Sequence, residues 1–231
     1  MTPFTTLTGA AAPLLAHVPA KWTPVRRQEH APSLEDDINT DQIAPQQMDR
    51  RLDPDYRAML FRRQRQDADF VLNRPQFQDA AILVAGRNFG CGSARETAVW
   101  ALMAWGIRCV VARGFADIFR ENCLQNGVLP LELDGAPAEA FAARVVAADG
   151  AAPFTVDLLA QTIGGPGGPV INFDIAPADR MRLLEGLDDI GLTLKHVDEI
   201  AAWEKRTAAE QPWLQSARDS RLMLRAARGP T

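Results

Sequence analysis

Between Ala80 and Leu133 the chain alternates short apolar runs with helix-spaced segments, and this alternation restricts the possible architectures more than any other feature. "AAILVAG" (80–86) is an apolar run that ends in glycine, and "ARETAVWALMAW" (94–105) repeats its apolar residues at helical spacing. "CVVA" (109–112) reads again as a strand, "FADIFRENCLQN" (115–126) as a second helix stopped by Gly127, and "VLPLEL" (128–133) as a further strand. Strands of this length joined through helices pair in parallel, so the segment predicts an α/β layer with a parallel sheet. A sequence that is 47% apolar over 231 residues has enough material for such a core.

The flanks are less regular. From Phe4 to about Arg27 the residues predict a short strand followed by an arm. In "SLEDDINTDQIAP", Asn39, Thr40 and Asp41 are turn or cap formers, with Ile38 and Ile43 as apolar anchors. "DRRLDPDYRAMLFRRQRQDADF" (49–70) reads as solvated helix and loop, and Arg50 and Arg51 as solvated arginines ahead of the alternative that one of them is a second carboxylate ligand. Downstream, "AEAFAARVVAA" predicts a helix, and "FTVDLLAQTI" and "PVINFDI" form an antiparallel pair around the turn "GGPGGP". Short helices are expected at "ADRMRLLEG" and "VDEIAAWEKRTAAE", followed by an arginine-bearing tail. The whole is read as one domain, 1–231, with an N-terminal arm (about 1–35) and a C-terminal tail (about 211–231).

The loop "GRNFGCGSARET" (86–97) joins the first of the central strands to the first of the helices. Glycines there let a ligand approach the backbone closely, exposed amides and the helix start favour an anion, and an arginine beside free amides suits a carboxylate. The expected local geometry has Ser93 as N-cap, Arg95 in the first turn, and Glu96 closing a capping box with Ser93. Nucleotide signatures are absent: no Lys-Ser or Lys-Thr follows the glycines, and Arg95 stands where a third glycine of G-x-G-x-x-G belongs. The residues alone therefore lead to two readings, a capped helix with a solvated arginine or a carboxylate or phosphate site around Ser93 and Arg95.

The strings "GRNFGCGSARETAVWAL" and "GFADIFRENCLQNGVLPLEL" resemble the small subunit of 3-isopropylmalate dehydratase, the swivel domain of the aconitase superfamily. "INTDQIAP" is similar to that family's Asp-Thr-Asp-Gln-Ile-Ile-Pro motif, and "LLEGLDDIGLTLKHVDEIAAWE" to its C-terminal signature. The resemblance implies a swivelling β/β/α domain with a central mixed sheet and flanking helices, active only with a large subunit. It further implies a four-iron, four-sulfur cluster on that large subunit, a hydroxy dicarboxylate substrate, and reversible dehydration and rehydration that isomerises 2- and 3-isopropylmalate in leucine biosynthesis. Carried onto this sequence, Ser93 is the base, Arg95 clamps a substrate carboxylate, and Gly92, Ala94, Thr40 and Asp41 line the substrate site. Asp41 would also orient groups of the large subunit; its other reading is a turn-forming aspartate.

Three positions depart from the family's Gly-Cys-Gly-Ser-Ser-Arg-Glu-His-Ala-Pro: Ala94 replaces the second serine, Thr97 the histidine and Val99 the proline. The alternatives are therefore a divergent relative acting on another hydroxy diacid such as 2-methylmalate, or a non-catalytic binding subunit. Cys91, Cys109 and Cys123 fit neither a disulfide framework nor zinc spacing, and no metal site is assigned to this chain. His17, His30 and His196 are scattered. A net charge of -4 gives no footprint for nucleic acid, and no run reaches membrane-spanning length. Pro13 and His17 interrupt the apolar stretch near the N-terminus, so a signal peptide is not expected and the reading is cytoplasmic.

Overall fold

The computed structural model describes residues 1–16, 33–45 and 54–213. Arg50, Arg51, His17, His30 and the tail from 214 onward lie outside the described residues. The chain divides into two compact units, Met1–Leu187 and Asp188–Thr231.

Among the described residues of the first unit, eight strands form two four-stranded sheets. The α/β class is as the sequence predicts; the expected central mixed sheet is here one wholly parallel sheet and one wholly antiparallel sheet. The parallel sheet runs β2 (Ala11–Pro13), β3 (Ile82–Val84), β4 (Cys109–Ala112), β5 (Leu129–Glu132), with Ala11 opposite Ile82, Ile82 opposite Cys109 and Cys109 opposite Leu129. Helices α3 (Glu96–Trp105) and α4 (Asp117–Asn126) make the crossovers. The antiparallel sheet is ordered β1 (Thr6–Gly9), β6 (Phe154–Asp157), β7 (Thr162–Gly164), β8 (Ile171–Asn172). The N-terminal segment thus supplies two strands rather than one, one to each sheet.

Strand alternation explains how both faces of the parallel sheet are filled. Leu83, Val110 and Ala112 point into a core with Ala98, Leu102 and Phe119 of the crossover helices. Ile82, Val84, Cys109 and Val111 point the other way, into a core with Val156 and Ile163 of the antiparallel sheet and with Phe141 and Val145 of α5 (Gly135–Ala148). A sheet covered on both sides needs nearly continuous apolar strands, which is why β3 and β4 read without polar interruptions. The antiparallel sheet is covered on one side, and β6 alternates buried and half-buried residues.

Two expectations change in detail. "FTVDLLAQTI" contains a hairpin of its own, β6 to β7, and the pairing across the Gly/Pro turn is β7 with β8. The Asp157 carboxylate accepts from the Ala160 amide at 2.8 Å and Gln161 takes φ 52°, so this turn forms without glycine or proline and escapes their signal. The 49–70 stretch, within its described part, is not wholly solvated. Leu60 and Phe61, after the short helix α2 (Tyr56–Met59), are core residues, and the guanidinium groups of Arg57 and Arg65 lie 4.6 and 4.7 Å from the Trp105 ring. Burial, and then the neighbouring Arg57 charge, hold the Arg65 guanidinium below its ordinary pKa.

After α5 the first unit ends with α6 (Pro177–Glu185). The second unit carries α7 (Asp189–Leu194), capped by Asp188 through the Gly191 amide at 2.7 Å, and α8 (Val197–Glu210). Among its described residues none is buried, and His196 lies 3.2 Å from the carboxylate of Glu199.

Candidate active site

The segment 35–40 and the loop 86–91 lie side by side. The Gly86 amide donates to Glu35 O at 2.9 Å, Asp37 N to Arg87 O at 2.9 Å, Gly90 N to Ile38 O at 2.7 Å, and Thr40 N to Cys91 O at 3.0 Å. This ladder joins the two motifs that the sequence marked separately. It leads directly into α1 (Thr40–Ile43), which begins with a reciprocal capping box: the Gln42 amide donates to Asn39 Oδ1 at 2.9 Å, and the Asn39 amide to Gln42 Oε1 at 2.8 Å. Ile38 and Ile43 are buried, as anchors should be.

The loop follows the carboxyl end of β3, where open α/β sheets place their sites. Gly90 sits at φ 79° directly over Phe119, and a Cβ there would fall inside that ring. A side chain at this position would therefore have to displace Phe119. Gly92 at φ 85° and Ala94 at φ 47° continue the left-handed turn. A non-glycine residue resists that conformation, and Ala94 is held in it by the Asn122 side-chain amide, which donates to Ala94 O at 3.0 Å.

This geometry overturns the expected helix start. The N-cap of α3 is Arg95, with φ -73° and ψ 137° and no capping hydrogen bond from a side chain, so Ser93 is not the cap and the Ser93–Glu96 box does not form. The left-handed Ala94 turns the chain before the helix begins. Glu96 instead accepts from Asn126 Nδ2 at 2.8 Å, while the Trp100 indole donates to Asn126 Oδ1 at 3.1 Å. Among the described residues, the amides from Gly92 to Thr97 meet no protein acceptor. Six consecutive donors thus stand at an exposed loop and helix start, a setting that favours anions in general.

The structure brings Ser93, Thr40, Asp41 and Arg95 together. Ser93 is exposed and its Oγ lies 3.1 Å from Thr40 Oγ1, whose residue is fully buried. The Arg95 guanidinium is ion-paired with the Asp41 carboxylate, the two side chains being 26% and 55% exposed. Gly92 is exposed and Ala94 half-buried on the same loop. Asn122 and Asn126, which place the loop from α4, drew no assignment from the sequence. Their i, i+4 spacing on one face of a helix that follows the glycine loop was the available signal.

The three thiols are free. Cys91 donates to Asp37 O at 3.4 Å; burial first, and then the charge of Asp37, raise its pKa. Burial raises the pKa values of Cys109 and Cys123 as well, keeping both as neutral core groups. Among the described residues no cluster of three His, Cys, Asp or Glu side chains converges on a metal position. Among the described residues no helix is long and apolar enough to cross a membrane.

Comparison with known proteins identifies the family. The Aconitase C-terminal domain family matches residues 3–136, and the family of the C-terminal domain of the 3-isopropylmalate dehydratase small subunit matches residues 189–217. The 3-isopropylmalate dehydratase small subunit of Dinoroseobacter shibae is 43% identical over 222 residues, covering 93% of this chain and 100% of the relative. That of Paramagnetospirillum magneticum is 43% identical with the same two coverages, and that of Parvibaculum lavamentivorans is 51% identical over 63% of this chain and 72% of its own length. The crystal structure of 3-isopropylmalate dehydratase from Methanocaldococcus jannaschii shares the fold, with a TM-score of 0.54 and 24% identity over 86% of this chain and 99% of that one. The chain belongs to the 3-isopropylmalate dehydratase small-subunit family of the aconitase superfamily.

Proposed function

We propose that this chain is the small subunit of a heteromeric hydro-lyase that interconverts 2- and 3-isopropylmalate by dehydration and rehydration, the isomerisation step of leucine biosynthesis. The observation that carries the reading is the meeting of Asp41, Ser93 and Arg95 on one exposed surface, with the hydroxyl of the buried Thr40 3.1 Å from Ser93 Oγ. Dehydration next to a carboxylate needs a base for the proton on carbon and a cationic site for the carboxylate, and this surface offers both kinds of group.

Ser93 is the base. Its hydroxyl is a weak acid, so the surrounding groups must favour the alkoxide; the amides from Gly92 to Thr97, without an acceptor among the described residues, and the nearby Arg95 are the donors that support this reading. One well-aimed donor of this type is worth about 10²–10³ in kcat in other enzymes. Arg95 receives a substrate carboxylate, with the Gly92 and Ala94 amides beside it. The Asp41 carboxylate pairs with the same guanidinium, so a substrate carboxylate would share Arg95 with it or displace it.

The large subunit is the expected holder of a four-iron, four-sulfur cluster, which supplies Lewis acidity toward the leaving hydroxyl. The thiols of this chain do not fit that cluster, since Cys109 and Cys123 are buried and protonated and Cys91 is turned to a backbone carbonyl. Three free cysteines suit a reducing compartment, which supports a cytoplasmic location.

The test is turnover by the chain purified together with its large subunit. Conversion of 2-isopropylmalate is expected, and Ser93→Ala should lower kcat by about 10³-fold or more while the complex stays intact on size exclusion. Faster turnover of 2-methylmalate than of isopropylmalate would reassign the substrate. Undiminished activity in Ser93→Ala would move the base elsewhere.

A further inference from the structure

The sequence places Thr40 among the residues that line the substrate site, but the structure gives it no surface with which to touch a substrate. It is fully buried, and its backbone is fixed by the bond from its amide to Cys91 O and by its position directly after the Asn39 cap. Its hydroxyl has one neighbour among the described residues, Ser93 Oγ at 3.1 Å. A buried hydroxyl carries one proton and needs an acceptor for it. With water excluded at Thr40, Ser93 Oγ is the acceptor within reach. The Ser93 proton is then directed away from Thr40, toward the exposed side of the loop.

We propose that Thr40 is a positioning residue that donates its hydroxyl proton to Ser93 Oγ, fixing the direction of the base and stabilising its negative charge without contacting substrate. This rests on the reading of Ser93 as the base. The chemistry is consistent with the environment: a neutral donor delivered from the interior adds stabilisation to an oxyanion and no counter-charge that would compete with Arg95 for a carboxylate. The charged and titratable groups on the two segments that carry the pair are the Asp41–Arg95 ion pair, Asp37, Cys91 and Glu96.

The experiment uses the assembled two-subunit enzyme with Thr40→Val, Thr40→Ser and Ser93→Ala. In Thr40→Val the shape is kept and the donor is lost, so kcat should fall about ten- to a hundredfold, with KM within about twofold. Hydrogen bonds to charged groups are worth about one to two pH units, so the rising limb of the kcat/KM profile should move upward by that amount. Thr40→Ser keeps the hydroxyl and should restore both kcat and the limb. If Thr40→Val fails to assemble, Thr40→Cys, of similar size with a weak donor, replaces it. A Thr40→Val enzyme with unchanged kcat and limb beside an inactive Ser93→Ala enzyme overturns the inference alone. A tenfold rise in KM at unchanged kcat overturns it in favour of direct substrate contact. An active Ser93→Ala enzyme removes the base reading, and the inference with it.

Discussion

Ala94 shows how much one residue can decide. The family pattern has a second serine there, yet the structure shows the position used through its backbone: a left-handed φ of 47°, a carbonyl held by Asn122, and an amide left open. The missing hydroxyl therefore removes one side-chain contact and leaves the turn that presents Ser93 intact. Cys91 illustrates the opposite case, a side chain close to the site with no assigned chemistry. Its thiol is held protonated by burial and by Asp37, so its alkylation should begin at higher pH than that of a free cysteine. Rate against pH with a neutral alkylating reagent, read by peptide mass spectrometry, checks this; a half-maximal rate below the pH found for a small-molecule thiol would contradict it. That Ser93, Arg95, Thr40 and Asp41 stand out was legible because each sits in a short motif, and the structure brings the four together. The capping box assigned to Ser93 was misread because a left-handed alanine carries no compositional mark.

The elements divide the work around the loop. Strand β3 fixes where it starts, the ladder with 35–40 fixes one wall, and α4 fixes the other through Phe119, Asn122 and Asn126. Asn122→Ala should release Ala94, lowering stability by about 1 kcal/mol for the lost hydrogen bond and kcat by about tenfold as Ser93 loses its placement. Chemical denaturation and steady-state kinetics on the same preparation separate the two effects. An unchanged kcat would show that the loop keeps its shape without α4. The crossover helices and parallel strands were readable because their apolar periods are long and their stops, such as Gly127, are conventional. The β6–β7 hairpin was not, because Asp157 and Gln161 make a turn that composition does not announce.

On the scale of the molecule, both apolar cores are complete within the first unit: their described members run from Phe4 to Leu184. A chain ending at Leu187 should therefore fold on its own and unfold cooperatively within several degrees of the full chain. Thermal melts followed by circular dichroism test this, and loss of the cooperative transition would place part of the core's support in Asp188–Thr231. The sequence revealed the α/β plan because alternation is a property of neighbours along the chain. It did not reveal that the first strands are split between two sheets, because that depends on partners, Ile82 and Phe154, far downstream. The contacts between this loop and α4 have a consequence for how the chain comes into being. While the ribosome is still making α4, the emerging Ser93 has neither Phe119 beneath its loop nor Asn122 to hold Ala94. An incomplete nascent polypeptide thus lacks the supports that hold this loop, and Ser93 acquires its setting only after α4 has been synthesised.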